Sequence, residues 1–301
     1  MNGILNVLKP PGMTSSDVVV YLRNNLKIRK AGHTGTLDPE AAGVLPVCLG
    51  KATRISDYIM RGTKIYRCGM KLGITTDTDD ITGRICSRSD NIPDLDRIHQ
   101  ALEAFQGELE QIPPMYSAIK VRGKKLYELA RQGIEIERKP RKVEIFKNEF
   151  LDFFPPDTVL FETECSKGTY IRSLCRDIGK LLGCGAVMSF LIRIASSNFH
   201  ISQSYTLDEI LEAFKKEKLD NMLVSMEEAL KPVLPSVVLD EACKERISNG
   251  NKVGVESALT PVDNIIPGQH CSIFCGKDFI GIGYVSNYGN KKEIKMKSVL
   301  V

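Results

Sequence analysis

The chain alternates between short apolar runs and apolar residues at helical spacing, which predicts a mixed α and β protein. Apolar stretches bounded by Gly, Pro or Asp predict strands at 3–8, 44–49, 64–72, 142–151, 158–165 and 186–200. Helical spacing behind capping residues predicts helices at about 14–26, 94–105, 124–132, 168–182 and 206–217. The Gly- and Pro-rich segment 31–50 is expected to form an ordered loop that leads into the strand at 44–49.

The pattern changes after Lys231. Four prolines, at 232, 235, 261 and 267, separate short apolar runs such as 271–274 and 279–285. Such punctuation is typical of short strands joined by turns. We therefore expect a larger domain over 1–231 and a small β-rich domain over 232–301.

Composition limits the classes of protein to which the chain can belong. With 301 residues, 43% of them hydrophobic and 26% charged, the chain has the profile of a folded domain. It lacks an apolar run of the ~18 residues that a membrane helix needs, and no charged region precedes its first apolar residues, so we expect a cytoplasmic protein with no membrane contact. Nine cysteines without a C-x-x-C motif favour free thiols. Structural zinc needs four ligands, so His270, Cys271 and Cys275 are better interpreted as scattered small core residues.

Charge is segregated along the chain although the net charge is only +4. Residues 1–71 hold 11 basic and 4 acidic residues, 72–119 hold 3 and 9, and 120–147 hold 10 and 4. Two basic blocks can form a surface that faces phosphates. A solvated surface explains the same charges equally well.

One loop has an unusually constrained sequence. In Ala31–Pro46, three glycines and two prolines restrict the backbone, Asp38 directly precedes Pro39, and His33 stands five residues before Asp38. Loops of this kind often position functional groups. An ordinary turn in which Asp38 bonds its own backbone is the alternative.

Two further clusters join polar chemistry to predicted elements. The segment Cys165–Leu174 runs from a strand end through a glycine turn into a helix start, where Tyr170 and Arg172 can line a cleft. Aromatic and basic residues interleave over 111–127, as in surfaces that stack bases and follow a nucleic-acid backbone. A plain capped helix and a solvated basic helix remain the alternatives.

The constrained loop resembles the catalytic motif of the bacterial tRNA pseudouridine synthase B (TruB) family, through Gly32-His33-Thr34-Gly35-Thr36-Leu37-Asp38-Pro39 and then Gly43-Val44-Leu45-Pro46. Further blocks match the family in its order and cover about residues 3–200, at 9–15, 64–66, 73–79, 111–118, 123–127, 165–172 and 183–186. The C-terminal module resembles the family's small PUA-like RNA-binding domain.

The resemblance implies an α+β fold with a mixed, mostly antiparallel central sheet, flanking helices and a central cleft. It implies isomerisation of the T-loop uridine of tRNA, at position 55, to pseudouridine. A C5–C1′ bond replaces the N1–C1′ bond, so no metal or cofactor is expected. The target lies inside a folded loop, and its base must be extruded. The implied partner is the T arm of tRNA, with no obligatory protein partner and a monomeric enzyme.

The resemblance also assigns roles. Asp38 would be the nucleophile or a base directed at the ribose, Arg172 would pair with Asp38 and aim it, and Tyr66 would stack on the target base and take the C5 proton. The other expected contacts with tRNA come from Tyr170 and Leu191 in the base pocket, His33 inside the T loop, and Lys9 and Lys64 on phosphates. Ile192 stands where the family usually has an arginine, which puts a phosphate contact from that strand in doubt.

Three other functions account for part of the sequence. A guide-RNA-dependent pseudouridine synthase shares the Asp38 motif, but the basic segment 120–147 favours the guide-free bacterial form. A tRNA-folding chaperone would need the basic surface without Asp38, Tyr66 and Arg172. A glycoside hydrolase would need a second carboxylate across the sugar site.

Overall fold

The computed structural model describes residues 1–117, 119–121, 123–130, 132–134, 136–288 and 291–301. The α-helices in this part of the chain are α1 Ser15–Asn25, α2 Ser56–Ile59, α3 Leu95–Ala104, α4 Leu126–Ala130, α5 Ile171–Leu182, α6 Leu207–Lys215, α7 Met226–Leu230 and α8 Lys244–Ser248. Its strands are β1 Gly3–Lys9, β2 Ala31–His33, β3 Ala42–Leu49, β4 Lys64–Leu72, β5 Ile74–Thr76, β6 Ile85–Arg88, β7 Gly107–Gln111, β8 Lys120–Val121, β9 Lys124–Lys125, β10 Arg141–Phe154, β11 Thr158–Cys165, β12 Ala186–Ser196, β13 Phe199–His200, β14 Leu223–Val224, β15 Ser236–Leu239, β16 Val253–Gly254, β17 His270–Cys275, β18 Asp278–Tyr288 and β19 Lys291–Val299. No helix within these ranges is long and apolar enough to cross a bilayer.

A large mixed sheet organises the first part of the chain. Its strand order is β14-β1-β3-β12-β4-β11-β10-β7, with β2 on β3 and β13 on β12. Strands β3 and β12 run parallel where they meet, whereas the other described neighbours run antiparallel. Helices α3 and α5 pack over β4, β10, β11 and β12, and apolar side chains fill the space between them. This architecture confirms the predicted fold class.

A second, five-stranded sheet follows, in the order β15-β17-β18-β19-β16. It has its own apolar core, which contains Cys271 and Cys275, so the interpretation of these cysteines as core residues is confirmed. Ile282 and Leu300 extend from this sheet into a cluster with Tyr58 and Ile59 of α2. The small sheet is therefore anchored to the large one by shared apolar packing.

Local sequence signals located several elements correctly. Strand β4 has the predicted bounds, and α1 begins behind Thr14, whose hydroxyl accepts from the Asp17 amide while the Asp17 carboxylate accepts from the Thr14 amide. This reciprocal capping box satisfies amides that a helix start leaves unpaired. The strands predicted at 142–151 and 158–165 are present as β10 and β11, which pair as an antiparallel hairpin.

Other elements differ from the prediction for identifiable reasons. Strand β2 lies inside the predicted loop because it pairs with β3. The predicted strand over 186–200 is interrupted at Ser197, where a positive φ of 55° turns the chain so that β13 pairs back on β12. The helix predicted over 124–132 is shortened to α4 behind β9, and its residue Arg131 lies outside the described residues.

Candidate active site

Hydrogen bonds hold the backbone of the Asp38 loop on both sides of this residue. The Ser15 hydroxyl donates to the Leu37 carbonyl at 3.1 Å and accepts from the Leu37 amide at 2.8 Å. The buried Lys9 ammonium donates to the Pro39 carbonyl at 2.9 Å. Both contacts come from the segment around the start of α1, so this segment fixes the backbone on which the Asp38 carboxylate stands.

A buried arginine holds the same loop from the opposite side. Arg193 is 1% exposed, and its guanidinium donates to the carbonyls of Val44 at 2.7 Å and Gly35 at 3.1 Å. Gly43 has a φ of +110°, and a Cβ there would lie 2.3 Å from the Arg193 carbonyl oxygen. Only glycine lets β3 approach β12 this closely. The glycines and Arg193 thus set the path of the chain on either side of Asp38.

Arg172 meets Asp38 in a two-pronged ion pair. Its Nε lies 2.9 Å from Asp38 Oδ2 and its Nη2 lies 3.2 Å from Asp38 Oδ1. The Arg172 side chain is 6% exposed, whereas that of Asp38 is 37% exposed and open to the cleft. Paired contacts of this kind fix the plane of a carboxylate as well as its charge. The structure therefore brings together two predicted site residues that are far apart in sequence.

The Arg172 guanidinium has partners on its other edges. Its nitrogens donate to the Tyr116 carbonyl at 2.8 Å and the Thr78 carbonyl at 3.4 Å, and Asp80 Oδ2 lies 3.7 Å away. These contacts hold the guanidinium in one orientation. The sequence does not predict the contacts of Arg172 with Asp80 and with the carbonyls of Tyr116 and Thr78, because their spacing follows no recognisable pattern.

Carboxylates of the acidic block over 72–119 form ion pairs inside the site. On α5, Arg176 pairs with Asp79 at 3.0 Å and with Asp177 at 2.9 Å, one turn beyond Arg172. Arg172 and Arg176 of α5 thus face carboxylates of the segment that follows β5. Part of the negative charge that the sequence showed as a separate block serves to anchor this helix.

The helix that bears Arg172 begins at a defined place. Tyr170 is its N-cap residue, and Gln111 on β7 clasps it, accepting from the Tyr170 amide at 2.7 Å and donating to the Tyr170 carbonyl at 3.0 Å. Tyr170 and Gln111 lie outside the helix, which begins at Ile171 instead of the predicted Gly168. The Tyr170 ring is half-buried, and burial raises its pKa.

Tyr66 and Leu191, predicted to line a base pocket, lie on neighbouring strands of the large sheet. They face the same apolar cluster from β4 and β12, beside Leu37 of the Asp38 loop. Burial raises the pKa of Tyr66, and the positive charge of Arg193 acts in the opposite direction. The Tyr66 hydroxyl therefore carries its proton at neutral pH in the free protein.

His33 ends β2 at the entrance to the Asp38 loop. Its Nδ1 accepts from the Gly35 amide at 3.4 Å, and burial, aided by the Arg193 charge, lowers its pKa. The imidazole is therefore neutral at neutral pH. A neutral flat ring is suited to stacking against bases inside an RNA loop.

Lys9 and Lys64 have a different role from the predicted phosphate contacts. Lys9 is fully buried and also donates to the carbonyls of Pro10 and Met13, and Lys64 donates to those of Met60 and Gly62. Burial lowers the pKa of each lysine to about 8. Both buried ammonium groups hold backbone turns, and the three carbonyls around Lys9 use all of its protons. A lysine in a sequence suggests exposure, and only the fold shows these two facing inward.

Ile192 lies away from the site. Leu191 and Arg193 are buried toward the cleft, and alternation along β12 points Ile192 to the opposite face of the sheet. An arginine at 192 would therefore not face Asp38. The expected loss of a phosphate contact at this position does not affect the cleft.

The electrostatics of Asp38 lead to a prediction about pH. Burial raises its pKa above the ordinary 3.8, Arg172 opposes this shift, and Asp80 adds to it. Chemistry that uses the carboxylate loses rate as pH falls through this raised pKa, so the acid limb of a single-turnover profile should lie above 3.8. Asp80→Asn should move the limb toward lower pH, relative to its own plateau. A limb that stays in place in Asp80→Asn would contradict this assignment.

Known proteins match the chain along its length. The model of the family described as TruB pseudouridylate synthase, N-terminal domain, matches residues 23–171, and that of the tRNA pseudouridylate synthase B C-terminal domain matches 172–231. A tRNA pseudouridine synthase B of Alkaliphilus oremlandii is 48% identical over 100% of this chain and 99% of its own length. The corresponding protein of Clostridium acetobutylicum is 45% identical over 97% of this chain and 98% of its own.

Solved structures agree with the fold. A chain in a Cbf5-Nop10-Gar1 complex has a TM-score of 0.80 and 30% identity, over 99% of this chain and 85% of that one. A chain of an H/ACA ribonucleoprotein bound to a substrate RNA containing 2′-deoxyuridine has a TM-score of 0.77 and 27% identity, with the same coverage.

Proposed function

The chain belongs to the TruB family of pseudouridylate synthases, and on this premise we propose that it converts the T-loop uridine of tRNA, at position 55, to pseudouridine. The main support for this proposal is the ion pair of Asp38 and Arg172. The pair is open to a cleft near Tyr66 and Leu191. Identity to the tRNA enzymes, 45% and 48%, exceeds the 27% and 30% to the two ribonucleoprotein chains. The guide-RNA-dependent alternative is therefore not favoured.

The proposed reaction is an isomerisation in which nothing enters or leaves overall. The bond from N1 to C1′ breaks, the base turns, and a bond from C5 to C1′ forms. The proton on C5 is removed and N1 ends with a proton. Asp38 is suited to two paths, direct attack on C1′ or removal of a ribose proton to give a glycal, because an ionised carboxylate can serve as nucleophile or as base.

The neighbours of Asp38 support this chemistry. Arg172 keeps the carboxylate ionised and aimed at the sugar, since its guanidinium is itself held by Tyr116 and Thr78. Tyr66 stacks on the extruded base. Its phenolic oxygen takes the C5 proton after losing its own proton, a loss that the charge of Arg193 favours and burial opposes. Leu191 and Tyr170 close the pocket around the base.

We further propose that tRNA is held outside the pocket by the basic segments and by 232–301 as a PUA-like RNA-binding domain. The block 120–147 includes Lys124 and Lys125, whose side chains lie outside the described residues. Contacts with phosphates would make affinity fall steeply with salt. We propose a monomer that acts in the cytoplasm without a protein partner.

His33 should matter for extrusion more than for chemistry. His33→Ala removes the ring that fills the space left by the flipped base, so we expect a rate about tenfold lower on whole tRNA. A T-arm analogue whose loop is already opened by mismatches should lose much less, because its base needs no displacement. The single-turnover rates on the two substrates measure this difference. Equal losses on both would count against a role in extrusion.

A minimal substrate tests the proposed function. The isolated T-arm stem-loop should yield pseudouridine on incubation with purified protein, because the fold around the target is contained in it. The matched control carries cytidine in place of the target uridine and should yield none. Pseudouridine at a different uridine of the stem-loop, or in the cytidine control, would overturn the assignment of the target.

A further inference from the structure

A cavity of about 370 Å³ lies beside the segment that joins the large sheet to the small one. It is lined by the turn Arg61–Thr63 before β4, by the turn at 197–198 between β12 and β13, and by Pro232 and Val233, which lead to the second sheet. None of these residues has a part in the chemistry described above. The cavity is large enough for a phosphate group with part of its sugar.

The cavity presents a positive charge that is not neutralised. Arg61 is exposed, and its guanidinium carbon lies 5.2 Å from the centre of the Tyr58 ring, which steadies it from one side. No carboxylate of the described residues forms an ion pair with Arg61. Thr63 is exposed beside it and has a hydroxyl that can donate. Arginine and a hydroxyl are groups that bind phosphate in RNA complexes.

The turn that carries Arg61 is rigidly built. The buried Lys64 ammonium donates to the carbonyls of Met60 and Gly62, on either side of Arg61. A Cβ at Gly62 would lie 2.7 Å from both Cβ and Oγ of Ser197, so the two turns pack too closely for any side chain at 62. The guanidinium therefore projects from a backbone that is already in place before a ligand arrives.

The position of the cavity relates it to the target base. Thr63 precedes Tyr66 by three residues, which is ~10 Å along a strand. Arg193 stands opposite Tyr66 in the register of β12 and β4, and Lys64 directly follows Thr63, so two buried positive charges lie close to this part of β4. On the far side, the Tyr58 hydroxyl bonds His270 Nδ1 across the junction at 2.9 Å. Along the chain, Arg61 therefore lies between the contact with the second sheet at Tyr58 and the base pocket at Tyr66.

We propose that this junction cavity binds a backbone phosphate of tRNA outside the target nucleotide, through the Arg61 guanidinium and the Thr63 hydroxyl. The proposal rests on tRNA being the substrate. The site would hold the RNA at the boundary of the two sheets and add affinity, without taking part in the isomerisation.

The test compares Arg61→Gln with Arg67→Gln by titration of an unmodified tRNA transcript at several salt concentrations. Arg67 follows Tyr66 on β4, does not line the cavity and pairs with Glu162, so its loss removes a charge that is already balanced and lies outside the cavity. Arg61→Gln should weaken binding about three- to tenfold and reduce the slope of log K against log salt by about one. Arg67→Gln should change neither. The single-turnover rate at saturating tRNA should be the same in all three proteins.

A second variant separates charge from folding. Arg61→Lys keeps the charge and should keep the wild-type salt slope, whereas equal slopes for Arg61→Gln and the wild-type protein would overturn the proposal. Different results would contradict the proposed function and the assignment of the cavity. If the proposed function is wrong, the wild-type protein forms no pseudouridine in tRNA; if only the cavity is misassigned, it does so and Arg61→Gln binds tRNA like Arg67→Gln.

Discussion

Asp38→Asn is expected to remove pseudouridine formation almost completely, by at least about a thousandfold. An amide neither attacks carbon nor accepts a proton at useful rates. Affinity for tRNA should stay near normal, because Ser15, Lys9 and Arg193 hold the loop through backbone groups that the substitution leaves intact. Single-turnover release of tritium from tRNA labelled at C5 of uridine measures the loss.

Glu40→Gln is the matched control for this variant. Glu40 is an exposed carboxylate in the same loop, two residues from Asp38, and its neutralisation should leave the rate within about twofold of wild type. A large loss in Glu40→Gln with activity retained in Asp38→Asn would reverse the assignment. Substantial tritium release by Asp38→Asn would by itself exclude Asp38 as the reacting group.

Arg172→Lys is expected to lower the single-turnover rate about a hundredfold. Lysine keeps the charge but has no planar fork, so it cannot hold both oxygens of Asp38 while it bonds the Tyr116 carbonyl. The carboxylate then loses its aim and part of the charge that keeps it ionised. The acid limb of the pH profile should accordingly move to higher pH, which a purely structural defect would not produce.

Two comparisons sharpen this expectation. Arg176→Lys, one turn further along α5, should have little effect, since its ion pairs with Asp79 and Asp177 do not involve Asp38. The double variant Asp38→Asn and Arg172→Lys should be barely slower than Asp38→Asn alone, because Arg172 acts through Asp38. Losses that multiply in the double variant would show that Arg172 acts independently of Asp38.

Elements with strong local patterns were predictable from sequence. The sequence predicts both bounds of strand β4 and the approximate start of α1, because apolar patterning and capping are local properties. Strand β2 was not, since three residues form a strand there only through pairing with β3. The break at Ser197 likewise depends on a hairpin that returns to β12.

The site was predictable only in part. Asp38 and Arg172 were associated through resemblance to a family, and no spacing rule joins residues that far apart in the chain. The contacts of Ser15, Asp80 and Arg193 escaped prediction because polar contacts between distant segments leave no periodic signal. The resemblance assigns Lys9 and Lys64 to phosphates, and the fold instead buries each lysine against backbone carbonyls, which no local pattern indicates.

The central claim is that this protein alone modifies one uridine in the T loop of tRNA. Incubating the purified protein with an unmodified tRNA transcript, with no guide RNA present, and then mapping pseudouridine at single-nucleotide resolution tests it most directly. The account predicts pseudouridine at position 55 and at no other uridine, with none formed by Asp38→Asn. Pseudouridine at other positions, or a reaction that needs added guide RNA, would contradict it.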